Sequence, residues 1–94
     1  MSTDSPQRRE VLYHGMVQGV GFRYTTRRIA GGFEVAGYVR NLPDGRVLVV
    51  AEGRPEEIER FLSAIRQQMR GYIEDERETV HPATGQFRAF DIRH

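Results

Sequence analysis

Apolar residues recur along this chain with two different periods. Ile58, Phe61, Leu62, Ile65 and Met69 form one uninterrupted stripe at helical spacing, with Arg60, Arg66 and Gln67 off it. Pro55 fits the first helical position, and Glu56 and Glu57 follow where the helix dipole favours negative charge. This helix reads as cover for a sheet. A second stripe, Phe22, Thr26, Ile29 and Phe33, predicts a helix from Phe22 to about Phe33, its last turn weakened by Gly31 and Gly32. Between the helices, Val35 to Asn41 and Arg46 to Glu52 read as a hairpin joined by Leu42-Pro43-Asp44-Gly45, where Pro presets φ and Asp-Gly supplies the corner. Val47, Val49 and Ala51 alternate with Leu48, Val50 and Glu52, so this strand is apolar on both faces near its middle. It is the most buried-looking strand in the chain.

The flanking segments complete the pattern. A strand of mixed character runs from about Arg9 to Met16. Tyr72 to Val80 carries Glu74, Asp75, Glu76, Arg77 and Glu78, which suits an exposed edge strand; an acidic docking surface is the alternative. Pro82-Ala83-Thr84-Gly85 predicts a turn, and Phe87 to Ile92 a final strand. The order strand, helix, strand, strand, helix, strand, strand predicts a ferredoxin-like α/β (α+β) sandwich. Its sheet has four to five strands, mostly antiparallel, with both helices on one face. Residues 9–94 are expected to form a single domain, and residues 1–8 a short disordered tail.

The chemistry gathers where the first strand passes into the first helix, over Gly15-Met16-Val17-Gln18-Gly19-Val20-Gly21-Phe22-Arg23. Its glycines permit positive φ, and a curled loop at a helix N-terminus turns several N–H groups toward one anion. Arg23, in the first helical turn, adds a planar fork of donors suited to phosphate or carboxylate. On spacing alone a tight turn is an equal reading. The second strand ends in Asn41 at the same rim if the first two strands run parallel. An amide there orients a water without ionising, or else initiates the turn.

The run Val17-Gln18-Gly19-Val20-Gly21-Phe22-Arg23, followed by Gly37-Tyr38-Val39-Arg40-Asn41, by Asp44-Gly45 and by Phe90-Asp91-Ile92-Arg93, resembles the acylphosphatase family over roughly residues 9 to 93. The resemblance implies hydrolysis of an acyl phosphate by direct attack of water. It assigns phosphate binding to Arg23 and to the loop Gln18, Gly19, Val20, Gly21 and Phe22, and the holding of the attacking water to Asn41. It implies no metal and no cofactor. The chain departs from the family at Glu34, where glycine is usual and a positive φ would strain the helix end, and at Tyr24 and Tyr38, where Lys and Trp are common.

Composition narrows the alternatives. There is no cysteine, so thiol chemistry and cysteine-ligated zinc are excluded; all 14 basic residues are Arg, so a P-loop lysine is too. Ser2, Ser5 and Ser63 occupy no nucleophile elbow, and His14, His81 and His94 show no ligand spacing. A net charge of +1 gives no footprint for nucleic acid. An RNA-binding module of similar architecture would need its aromatics on central strands, whereas Phe22 falls at a loop-helix junction. A non-catalytic small-anion-binding domain is the other alternative. No apolar run has membrane length and the start lacks a signal-peptide pattern, so the compartment reads most simply as the cytoplasm. Small size with an acidic edge favours a monomer acting on a small molecule.

Overall fold

The computed structural model describes residues 5–94. Its elements are β1 (Gln7–Gly15), α1 (Phe22–Ala30), β2 (Val35–Asn41), β3 (Val47–Gly53), α2 (Pro55–Gln68), β4 (Ile73–Pro82) and β5 (Phe90–Arg93). The strands form one sheet in the order β4-β1-β3-β2-β5, antiparallel except for the β2–β5 pair. Both helices lie on one face, which is the expected ferredoxin-like sandwich. Among the described residues no helix is long and apolar enough to cross a membrane.

Period-two alternation decides what each strand gives to the core. Val11 faces Val49 and Tyr13 faces Val47 across β1 and β3; Val39 and Asn41 continue those two rows into β2. Val11, Tyr13, Val39, Val47 and Val49 meet Phe22, Ile58, Phe61, Leu62 and Ile65 from the helices, all buried. Phe61 packs edge-on against Phe90 at 5.3 Å and Phe22 tilts against Tyr13 at 5.2 Å, geometries that favour the ring quadrupoles. Burying an aliphatic or aromatic side chain of this kind stabilises by about 1.5–3 kcal/mol. The apolar faces of α1 and α2 together therefore hold the helix layer on the sheet.

Several boundaries differ from expectation. Residues 1–4 of the predicted tail lie outside the described residues, whereas Gln7 and Arg8 pair with Gly53 and Glu52 as the start of β1. Charge hid this strand. Arg8 meets Glu10 of its own strand at 2.9 Å and Glu52 of β3 at 3.6 Å, so nearby carboxylates neutralise the charge at the start of β1. Helix α1 ends at Ala30 rather than near Phe33, because the two glycines follow and the chain unwinds through turns ending at Phe33. Glu34 is not strained: no residue other than glycine has positive φ among the described residues, and its N–H donates to Glu57 Oε1 at 2.9 Å.

The largest departure lies after β4. Strands β4 and β5 occupy opposite edges, so residues 83–89 must cross the sheet instead of making a turn at 82–85. Phe87 is not in the last strand, which begins at Phe90. It packs on Tyr38 at 5.8 Å, and the Arg93 guanidinium stacks on the Tyr38 ring at 4.0 Å. The crossing is pinned by Glu52, which accepts from Thr84 N–H at 3.0 Å, Thr84 Oγ1 at 2.7 Å and Gly85 N–H at 2.9 Å.

Candidate active site

The loop between β1 and α1 is built by three local features. A register shift between His14 and Gly15 bends the end of β1, after which Gly15 pairs with Ile73 and the Met16 N–H donates to Tyr72 O at 2.9 Å. Val17 plugs into the core, fully buried. Gly19 and Gly21 then take φ of 79° and 77°, the left-handed region where a side chain costs roughly 1–2 kcal/mol. Gly21 is also the N-cap of α1, and its carbonyl accepts the first bond of the helix, from the Thr25 N–H at 2.9 Å. The Phe22, Arg23 and Tyr24 amides therefore precede the helical ladder, with no side chain capping them and no acidic residue in the turn. The positive end of the helix dipole is left uncompensated by protein charge.

That end opens into a hollow of about 240 Å³ lined by Val17, Gly19, Gly21, Phe22, Arg23, Tyr24 and Asn41. Pockets for drug-sized ligands run about 300–1,000 Å³, so this volume suits a small anion. Larger hollows of about 350 and 470 Å³ lie on the open face of the sheet, sharing Leu12, Arg46 and Arg77. They lack a helix N-terminus and a glycine backbone, so the smaller hollow has the chemistry of an oxyanion site.

Asn41 reaches it from the other side. It stands at the last position of β2, in the row of Val47 and Tyr13, so its side chain is on the helix-bearing face. Its Oδ1 is buried and accepts no hydrogen bond among the described residues. Such an acceptor calls for a ligand or water partner. Gln18 ties the two sides together: its Nε2 donates to Leu42 O at 2.8 Å and Arg46 O at 2.9 Å, across the base of the β2–β3 turn.

Of the residues singled out from sequence, Gly19, Gly21, Phe22, Arg23 and Asn41 come together around the hollow. Gln18 and Val20 are not in its lining; the Gln18 amide is spent on the hairpin and the Val20 side chain is exposed. Phe22 is buried at 2% exposure with its ring on Tyr13, so it offers no face for stacking a base. Arg23 Nη1 lies 3.1 Å from Nδ1 of His94. Among the described residues, no three His, Asp or Glu gather as metal ligands.

Two residues were missed by sequence reasoning. Glu52 reads as the polar end of an alternating strand, yet it is 7% exposed. A carboxylate in so apolar a strand was the available signal that partners must exist. Burial works to raise its pKa, but hydrogen bonds from Thr84 and Gly85 and the charge of Arg8 outweigh it and hold the carboxyl below its usual range. His94 carried no signal, because its neighbour Arg23 is distant in sequence.

The acylphosphatase family model matches residues 9–92. An acylphosphatase of Archaeoglobus fulgidus is 53% identical over 57 residues, covering 61% of this chain and 64% of that protein. One from Nocardia farcinica is 44% identical over 89 residues, 94% of this chain and 89% of that one. The crystal structure of acylphosphatase from Bacillus subtilis superposes with a TM-score of 0.86 at 30% identity, covering 94% of this chain and 99% of that one.

Proposed function

The chain belongs to the acylphosphatase family and hydrolyses acyl phosphates, and from this premise we propose that the hollow at the start of α1 holds the phosphoryl group while Asn41 orients the attacking water. One observation carries the reading. The buried, unpartnered Asn41 Oδ1 lines the same small hollow as Gly19, Gly21 and Arg23. An acceptor facing an anion cradle would repel phosphate oxygens, whereas it suits a water that must donate one proton and attack through its free lone pair.

Arg23 and the amides at the helix start bind the phosphoryl oxygens and stabilise the charge that spreads over them in the transition state. Water oxygen forms the new P–O bond as the bond from phosphorus to the acyl oxygen breaks. The carboxylate leaves with that electron pair, and the water protons pass to the phosphate product and solvent. A carboxylate departs without being protonated, so no strong general acid is needed. Positioning and fixed positive charge supply the catalysis, with no step routed through a metal.

The same reading takes the protein as a cytoplasmic monomer with no nucleic-acid or membrane partner, consistent with a net charge of +1 and a charged edge strand. The test is hydrolysis of benzoyl phosphate in the presence of chelator. Turnover is expected to persist unchanged, with inorganic phosphate inhibiting competitively. Activity that vanishes with chelator and returns with magnesium would overturn the metal-free mechanism.

A further inference from the structure

We propose that His94 is a positioning residue for Arg23, holding its guanidinium at the hollow as a neutral acceptor and releasing it on protonation. The inference rests on the phosphate-binding role of Arg23. Arginine has no acceptor, so in the 3.1 Å contact Nη1 must donate and His94 Nδ1 must accept. That requires the uncharged imidazole with its proton on Nε2. The fold delivers this residue for a reason visible in the register. Val39 pairs with Ile92 and Arg40 with Arg93, so one further step along the parallel pair sets His94 beside Asn41. By alternation it shares the helix-bearing face with Ile92, Phe90 and Asn41.

A neutral acceptor has a use that a carboxylate lacks. A Glu in its place would fix the arginine but cancel the charge that phosphate needs. Imidazole fixes one Nη1 proton and leaves the positive charge and the remaining donors of the fork free. The charged and titratable groups of the elements packed on this end of β5 are Arg23, Tyr24, Arg27 and Arg28 of α1, and Tyr38 and Arg40 of β2. On β5 itself they are Asp91 and Arg93. No carboxylate comes from α1 or β2 to compete for the imidazole or for Arg23. Once protonated the imidazole loses its acceptor and places a second cation against the guanidinium.

The test compares His94→Ala and His94→Asn with the parent in benzoyl phosphate hydrolysis from pH 5 to 8, folding being checked by thermal melting. In His94→Ala, kcat/KM is expected to fall about 3- to 10-fold at pH 8, with kcat falling more than KM rises. The parent-to-variant ratio is then expected to close toward one as pH falls, because the protonated parent loses the same contact. Asn offers Oδ1 near the position of Nδ1 and does not titrate, so His94→Asn is expected to restore most of the loss and to lack the imidazole-range limb. A folded His94→Ala protein with the parent kcat/KM and pH profile, or a failure of His94→Asn to recover activity, overturns the proposal. If Arg23→Lys is inactive while the His94 variants are silent, the phosphate cradle stands and only the positioning role falls. An active Arg23→Lys protein removes the premise of both.

Discussion

At the scale of single residues, geometry and chemistry assign different work to Arg23 and Asn41. Arg23→Lys keeps a charge but replaces a planar fork by a point charge on a flexible stem. Loss of one charge-assisted contact costs about 1.5–3 kcal/mol in phosphate affinity, and turnover is expected to fall further because the contacts tighten in the transition state. Paired calorimetry and benzoyl phosphate kinetics check this, and near-parent turnover in the folded variant rejects the cradle. Asn41→Ala removes the acceptor that orients water, so kcat is expected to fall on the order of 10²–10³ with phosphate affinity near the parent value. Parallel collapse of affinity and rate would assign Asn41 to the phosphate instead. Tyr13 offers a test without chemistry. Its hydroxyl is buried with no partner among the described residues, and burial, then the charge of Glu76, pushes its pKa upward, so the phenol stays neutral. Tyr13→Phe removes an unsatisfied group and keeps the ring contact with Phe22. It is expected to be neutral or to stabilise by up to about 1 kcal/mol in urea unfolding; a clear loss would mean the hydroxyl does have a partner.

Between elements, Glu52 is the residue that joins β3 to the crossing segment and so fixes where β5 lies. Its folded pKa lies below the usual carboxyl value. The stabilisation is therefore present in full above the unfolded value of about 4.3 and is lost as pH falls through the folded one. Glu52→Gln keeps the shape but weakens four acceptor contacts. Urea unfolding is expected to show a loss of about 1–3 kcal/mol at pH 7 that shrinks below pH 4. A pH-independent difference would exclude titration of this carboxylate as the cause. Because β5 leads directly to His94, the same substitution is expected to lower activity as well as stability. Gln18 does the corresponding work on the other side, tying the glycine loop to the hairpin that ends in Asn41.

For the molecule as a whole, the strand order explains both the site and the limits of reading it from sequence. Local pattern was enough for the stripes of α2 and α1, for the hairpin from Val35 to Glu52 and for the edge character of β4, because period and turn chemistry are properties of neighbouring residues. The motif from Val17 to Arg23 was legible because glycines and a helix start are local, whereas the role expected of Asn41 came from the family resemblance and its arrival at the same rim from the strand topology. What sequence could not supply was every feature made by residues far apart in the chain. Gln7 and Arg8 read as a tail until β3 and β4 furnished their carboxylates and ladder partners. Glu52 read as a strand end until residues 83–89 crossed the sheet to meet it. His94 read as an isolated histidine until the parallel pairing of β5 with β2 set it against Arg23. Periodicity and turn preferences determine the elements and which face each one buries. Register and strand order, set by side-chain packing between distant segments, decide which charges meet and which remain free to hold a ligand.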